Sequence, residues 1–237
     1  MGKNLIQQAR GRGGPNYRAR SFAYAGEARH LHPSANLQSG TITEFIKCPG
    51  HLAPLAQIKY PDGQTVLVQA AEGLKVGDTV TTGQGGALKD GNTLSLKDLP
   101  EGTAIFNIES TPGDGGKFCR TTGTFARIVT KAERHVIIQL PSKKQRLFHP
   151  DCRAVIGVVA GSGRTEKPFL KAGAMHWHRR SRNKRWPNPS AAAQNAVDHP
   201  FGNKRTSRKG KQRVQSKHAP PGRKVGKIGA RRTGRKK

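Results

Sequence analysis

Cationic residues in this chain are concentrated at its two ends, and that distribution limits how much of it can form a packed core. The 237 residues carry 43 Lys and Arg against 14 Asp and Glu, a formal net charge of +29. Residues 161–237 hold 23 of those cations and two acids, and residues 1–36 hold six and one. The stretch between them, 37–160, holds 14 cations and 11 acids and is close to neutral. Like charges at such density repel one another and keep a segment extended in water unless a polyanion neutralises it. The centre is therefore the part expected to fold alone. The ends are arms suited to a phosphate chain.

Apolar residues are sparse at 33%, and they crowd into the middle third, which leaves room for a modest core only there. With 29 Gly and 15 Pro, short strands and tight turns are favoured over long helices. No run approaches the ~18 apolar residues of a membrane span. The opening Met1-Gly2-Lys3-Asn4-Leu5-Ile6-Gln7-Gln8 lacks an apolar signal region, and the basic tail lacks the apolar face of a membrane-surface helix. Cys48, Cys119 and Cys152 are odd in number and widely spaced, which suits reduced thiols in the cytoplasm.

The centre shows β-type runs punctuated by turns. Residues 41–46 are β-branched and apolar, 54–60 continue the pattern, and 65–70 return after Pro61-Asp62-Gly63. In that turn proline presets the bend and glycine accepts positive φ. A turn and short strand follow at 73–80, with further β-type runs at 125–130, 135–140 and 154–160. Residues 103–109 alternate so that Ala104, Phe106 and Ile108 share one face. This spacing predicts an all-β chain with two small barrels, at 37–82 and 83–160. A basic N-terminal extension, 1–36, and a basic C-terminal extension, 161–237, flank them. The N-terminal extension is expected to be extended, and a short helix is expected around 167–173.

Several motifs have a chemical and a plainer reading. Gly161-Ser162-Gly163-Arg164-Thr165-Glu166-Lys167 has the glycines of a phosphate loop but not the Gly-Lys-Ser/Thr ending that holds phosphates and magnesium. A sharp exit from the last strand, with amides able to cradle an RNA phosphate, is the better reading. His30, His32, Cys48 and His51 include a Cys-x-x-His spacing, but they lie in different segments and no Cys-x-x-Cys occurs. Ordinary histidines near phosphate and a buried thiol outweigh zinc there, and no metal ligand is assigned. Asp198-His199 looks like a carboxylate–imidazole pair, yet adjacent residues cannot readily orient one another and no nucleophile accompanies them. A histidine donating hydrogen bonds to RNA is preferred, and no catalytic residue is assigned.

Trp177 with Arg179, Arg180 and Arg182, then Trp186, interleaves aromatic rings and guanidinium groups, as stacking on bases with phosphate contact requires. Arg12, Arg18 and Arg20 lie among Tyr17, Phe22 and Tyr24 in the same manner. Arg164 and Lys171 continue the basic line. Arg223, Lys224, Arg231 and Arg232 belong to cation runs that suit insertion among RNA helices better than a nuclear address. A free nucleic-acid chaperone shares basic tails and small barrels and is the rival reading.

Longer motifs carry a specific resemblance. Pro112-Gly113-Asp114-Gly115-Gly116 followed by Arg120 and Gly123, then Asp151-Cys152-Arg153-Ala154, then Asn195-Ala196-Val197-Asp198-His199-Pro200, resemble the universal large-subunit ribosomal protein two family. Ala219-Pro220-Pro221-Gly222-Arg223-Lys224-Val225-Gly226 and the closing 230–235 are similar to its archaeal and eukaryotic branch. The resemblance implies an OB-fold followed by an SH3-like barrel, with both extensions threaded into large-subunit rRNA. It implies a structural, primary rRNA-binding role, support of subunit association and tRNA placement, and no enzymatic activity, peptide-bond chemistry belonging to RNA. Implied partners are large-subunit rRNA, other large-subunit proteins, the small subunit across an intersubunit bridge and nearby tRNA, with no membrane and a cytoplasmic location. No cofactor is implied, although Mg2+ bridging to rRNA phosphates is compatible with it. Lys117, Arg120 and Arg153 become expected rRNA contacts. Asp198, His199, Pro200 and Gly202 are implied to lie close to the peptidyl transferase centre. One departure stands out: where the family usually has a glycine run, Gly202 is followed by Asn203-Lys204-Arg205, so the backbone at 202–205 is expected to take another path.

Overall fold

The turn foreseen at 61–63 sets the first hairpin of the computed structural model, which describes residues 3–33, 36–203, 214–220 and 223–230. Gly63 has φ 82, Tyr60 N–H donates to Gln64 O and Gly63 N–H to Tyr60 O, and the Asp62 carboxylate accepts from Gln64 N–H. The strands it joins are β2 (Leu55–Lys59) and β3 (Thr65–Gln69), paired in antiparallel register from Leu55 opposite Gln69 to Lys59 opposite Thr65. With β1 (Gln38–Ile46), β4 (Thr79–Thr82), β5 (Thr93–Ser95), β6 (Ala104–Phe106), β7 (Ala126–Lys131), β8 (Val136–Gln139), β9 (Gln145–Phe148) and β10 (Arg153–Ile156) they form one ten-stranded sheet. Its order is β3-β2-β1-β4-β5-β10-β6-β7-β8-β9. The fold is all-β, as expected. Two strands, β5 and β9, were not foreseen: one is three residues long, and the other is polar except at its end.

Two large apolar clusters lie within this sheet, beside a small one of Ala28, Cys48 and Leu55. One gathers Ile42, Ala56, Ile58, Val68 and Val80 with Leu31; the other gathers Leu94, Leu96, Leu99, Ile128, Ile138 and Phe148. Strands β6 and β10 feed both. Phe106 and Val155 point into the first cluster, while Ile105, Ala154 and Ile156 point into the second. Alternate residues of a strand face opposite sides, so each of these two strands is buried on both faces. That corrects the reading of 103–109 as a strand with one apolar face. Asn107, at φ 48, then breaks the alternation, and Ile108 joins Ile105 in the second cluster.

The chain divides into two units, Arg20–Pro168, which contains the sheet, and Met1–Ala19 together with Phe169–Lys237. Within the first, residues 28–31 are not the extended arm foreseen. Ala28 bridges Leu67 in parallel, Arg29 N–H donates to Leu67 O, and Ala28, His30 and Leu31 are buried. An apolar pair separated by Arg29 and His30 supplied too short a pattern to mark this segment. Within the second unit, α1 (Ile6–Gly11) and α2 (Ala172–Arg180) are helical. The helix expected at 167–173 thus begins at 172. Ala172, Ala174 and Met175 favour helix, and His178, Arg179 and Arg180 place cations at its negative C-terminal end. Cys48, Cys119 and Cys152 are free, and burial pushes the thiols of Cys119 and Cys152 up to about 11. Among the described residues no helix is long and apolar enough to cross a membrane.

Candidate nucleic-acid interface

The glycine-rich loop at 112–116 is held from beneath by one carboxylate. Glu109 follows β6 and is fully buried. Its Oε2 accepts from Gly113 N–H (3.2 Å) and Arg153 N–H (2.9 Å). Its Oε1 accepts from Gly115 N–H (3.3 Å) and from Arg153 Nε (3.2 Å) and Nη2 (2.7 Å). Burial alone would raise the pKa of Glu109, but the hydrogen bonds and charge of Arg153 outweigh it and leave the carboxyl below its usual range. Asp114 completes the loop by accepting from the N–H groups of Ser110, Thr111 and Gly116. Gly116 has φ 97, and a Cβ there would run into the Asn107 side chain, so this position needs glycine.

Arg153, expected on rRNA, is therefore an interior residue: its guanidinium is shared between Glu109 and Leu31 O (2.7 Å). Arg120 is half-buried and also turns inward, with Nη1 donating to Gly116 O (3.1 Å) and Nη2 to Ala28 O (2.7 Å). With the Gln69 carboxamide turned so that its oxygen faces Arg120, Nε and Nη2 lie 3.1 and 3.0 Å from that oxygen. His30 N–H donates to Gly115 O, and its Nε2 lies 2.6 Å from Asn107 O. Burial first, and Arg153 second, lower the His30 pKa to about 4. These groups clamp the 28–31 segment onto the loop. None of this network was foreseen beyond its two arginines. An acid abutting an apolar alternating run was the available signal for Glu109.

The outer surface carries the remaining cations. Lys117 and Arg164 are exposed, and Arg164 Nε donates to Thr122 Oγ1 (3.1 Å). The Arg20 guanidinium lies 5.4 Å from the centre of the Phe22 ring, which is 82% exposed. Arg146 lies over both Phe118 (4.6 Å) and Phe148 (5.6 Å), a stack not foreseen. Its signal is the two-residue spacing of Arg146 and Phe148 on one strand, which puts both on one face. In the second unit Arg12 and Arg18 are exposed, as are Lys171, Arg179, Arg223 and Lys224. Trp177 is 63% exposed with the Arg180 guanidinium 5.1 Å from its ring, whereas Arg182 and Trp186 are half-buried. Arg231 and Arg232 lie outside the described residues.

The 194–203 segment closes on itself. Asp198 and His199 N–H both donate to Asn195 O, Gly202 N–H to His199 O and Asn203 N–H to Gln194 O. A Cβ on Gly202 would run into the carbonyls of Gln194 and Asn195. His199 is buried, with Nδ1 accepting from Phe201 N–H (3.1 Å), rather than displayed for donation to RNA as expected. Asp198 is half-buried and Pro200 exposed. Asn203, at φ 58, takes the left-handed conformation that asparagine tolerates best after glycine. Lys204 and Arg205 lie outside the described residues. A Cβ at Gly226 would sit 3.2 Å from Phe201, so the described 223–230 segment passes beside the same loop at that point.

Three of the four residues weighed for zinc and set aside are occupied otherwise. His30 is tied to Asn107, Cys48 Sγ accepts from Ala25 N–H (3.5 Å), and His51 packs 6.5 Å from Tyr24, ring to ring. Among the described residues no group of three or more His, Cys, Asp or Glu could hold a metal.

A family model described as "Ribosomal Proteins L2, C-terminal domain" matches residues 89–222, which include the glycine-rich loop and the 194–203 segment. The chain is 47% identical to "Large ribosomal subunit protein uL2" of Archaeoglobus fulgidus over 99% of each chain. It is 46% identical to the uL2 protein of Methanopyrus kandleri, covering 99% of this chain and 98% of the relative. It is 43% identical to that of Haloarcula marismortui, with the same coverage. The all-β body agrees with an OB-fold followed by an SH3-like barrel, and the family is structural rather than enzymatic. With likeness extending over almost the full length of these relatives, the chain belongs to the ribosomal protein L2 (uL2) family.

Proposed function

We propose that this protein is a structural constituent of the large ribosomal subunit that binds large-subunit rRNA directly, beside other large-subunit proteins in the cytoplasm. The observation that carries this is the full-length likeness to large ribosomal subunit proteins of archaea. A supporting physical feature is 23 cations against two acids over 161–237. Residues 37–82 form the OB-fold part, 83–160 the SH3-like part, and 1–36 and 161–237 the extensions, of which 28–31 packs onto the OB-fold part. The two apolar clusters support that division, and β6 and β10, which feed both, make the parts act as one platform.

Affinity comes from neutralising phosphates and releasing counterions. The exposed Lys117, Arg164, Lys171, Arg179, Arg223 and Lys224 act in this way, as do Arg12 and Arg18. The pairs Arg20–Phe22 and Arg180–Trp177 add stacking surfaces, with Arg182 and Trp186 beside the latter, and Arg231 and Arg232 extend the cationic line. Arg120 and Arg153 act from within, by fixing the loop at 112–116. The segment containing Asp198, His199, Pro200 and Gly202 lies towards the peptidyl transferase region. The protein also supports tRNA placement and the bridge to the small subunit.

Salt titration of rRNA binding tests this reading. Each phosphate neutralised contributes about 0.7–0.9 to the slope of log K against log salt. Removing 161–237 should weaken binding and reduce that slope by several units. An unchanged slope, or full-length protein that washes off large subunits at high salt, would refute the proposal.

A further inference from the structure

Lys3 and the 194–203 loop come from opposite ends of the sequence, yet they are bonded to one another. Lys3 N–H donates to Val197 O at 2.8 Å, and Lys3 Nζ lies 3.8 Å from Asp198 Oδ1. Leu5, only 7% exposed, is buried at the start of α1. Among the described residues of Met1–Ala19 and Phe169–Lys237, the buried ones are Leu5, His199 and Gly202. Among the residues of this cationic unit whose burial is described, Leu5 is thus the one aliphatic side chain with core-like burial. A second tie lies further along: the Asn183 carboxamide donates to both Pro15 O (3.2 Å) and Arg18 O (3.0 Å).

We propose that residues 3–5 are a positioning element for the loop that carries Asp198, His199 and Gly202, so that the two basic ends of the chain form one small module. The backbone bond from Lys3 fixes Val197, immediately before the loop's acid, and the burial of Leu5 two residues on anchors the segment that presents Lys3. The exposed Lys3–Asp198 pair adds direction more than strength. The inference concerns how the loop is held. It rests on the ribosomal reading only for what the loop serves.

Carbodiimide cross-linking of the full-length protein tests it. The reagent activates the Asp198 carboxylate, and the Lys3 ε-amine displaces the activated oxygen, which leaves in the urea by-product as an amide forms. Peptide mass spectrometry should find Lys3 joined to Asp198 in the unaltered chain. Leu5→Asp should abolish that product and speed hydrogen exchange at the Gly202 and Asn203 amides at least tenfold. Exchange at Ile105 and Val155 in the sheet should not change, and Leu5→Met should restore both signals. Absence of the cross-link in the unaltered chain, or equal exchange at Gly202 and Asn203 in the Leu5→Asp variant, overturns the proposal. Co-sedimentation with large subunits is read on the same samples. A protein that keeps the cross-link and the loop protection but fails to co-sediment would refute the ribosomal reading and leave this one standing.

Discussion

Glu109→Gln should destabilise the sheet unit far more than its conservative shape suggests. The substitution keeps the volume and removes one charge and one acceptor. Five N–H groups converge on the two carboxylate oxygens. If the new amide nitrogen takes the Oε1 place, it faces Gly115 N–H and two N–H groups of Arg153. If it takes the Oε2 place, it faces Gly113 N–H and Arg153 N–H. Either way donors oppose donors, and the Arg153 guanidinium is left buried with Leu31 O as its other partner. Stranding one member of a buried ion pair costs about 3–5 kcal/mol. Against a native stability of about 5–15 kcal/mol that is a large share. With m near 2 kcal/mol/M, the urea midpoint should fall by about 1.5–2.5 M at unchanged m. Far-ultraviolet circular dichroism reports the transition, because both tryptophans, Trp177 and Trp186, lie in the other unit. Glu109→Leu combined with Arg153→Met strands no charge, but it leaves the N–H groups of Gly113, Gly115 and Arg153 and the Leu31 carbonyl without their partners, so it should restore no stability over Glu109→Gln. A loss below about 1 kcal/mol for Glu109→Gln would refute the assignment of this pair as the loop's anchor.

Two further outcomes follow from the same geometry. His30 has a folded pKa of about 4 against 6.5 for the free side chain, so between those values the unfolded chain binds a proton that the folded one does not. Stability should fall by on the order of 3 kcal/mol as pH drops from 7 to 4, and His30→Gln should remove most of that slope in urea titrations; an unchanged slope would show that another group carries it. Gly202→Ala forces a Cβ against the Gln194 and Asn195 carbonyls, so protease cleavage between 194 and 203 should accelerate at least tenfold while the sheet's melting is unaltered, and equal cleavage rates would contradict the closed loop.

What was legible in the sequence followed from local chemistry. Proline, aspartate and glycine at 61–63 announce a turn through their own backbone preferences, and the hairpin is found where they place it. Strands rich in β-branched residues were visible for the same reason. Strands β5 and β9 were not, because short or polar strands are specified by their neighbours rather than by their own residues. Motifs located the glycine-rich loop and the His199 segment, but not how either is held. Glu109 lies three residues from the loop's first residue and 44 from its partner Arg153. Leu5 lies nearly two hundred residues from the loop whose unit it shares. Pairings at such separation leave no periodic trace in one chain. Arg153 was misread as an outward cation for that reason: its charge was visible and its partner was not.

The near-neutral charge of 37–160 does not make its surface neutral. Glu109 is fully buried, and the half-buried Asp114 is spent on the N–H groups of its own loop. Arg153 accompanies Glu109 inside, so that pair cancels. The Asp114 carboxylate, drawn in to shape the loop, leaves Lys117 outward and without an adjacent exposed acid in the 112–118 segment. An anion can thus serve a phosphate-binding surface by folding it. Counting charges along a sequence weighs each equally, whereas a polyanion meets only those that burial and hydrogen bonding leave facing outward. On the proposed reading, the extensions and the body would meet a polyanion by one principle: in the extensions cations outnumber acids outright, and in the body the fold turns the acids that organise the loop away from the surface.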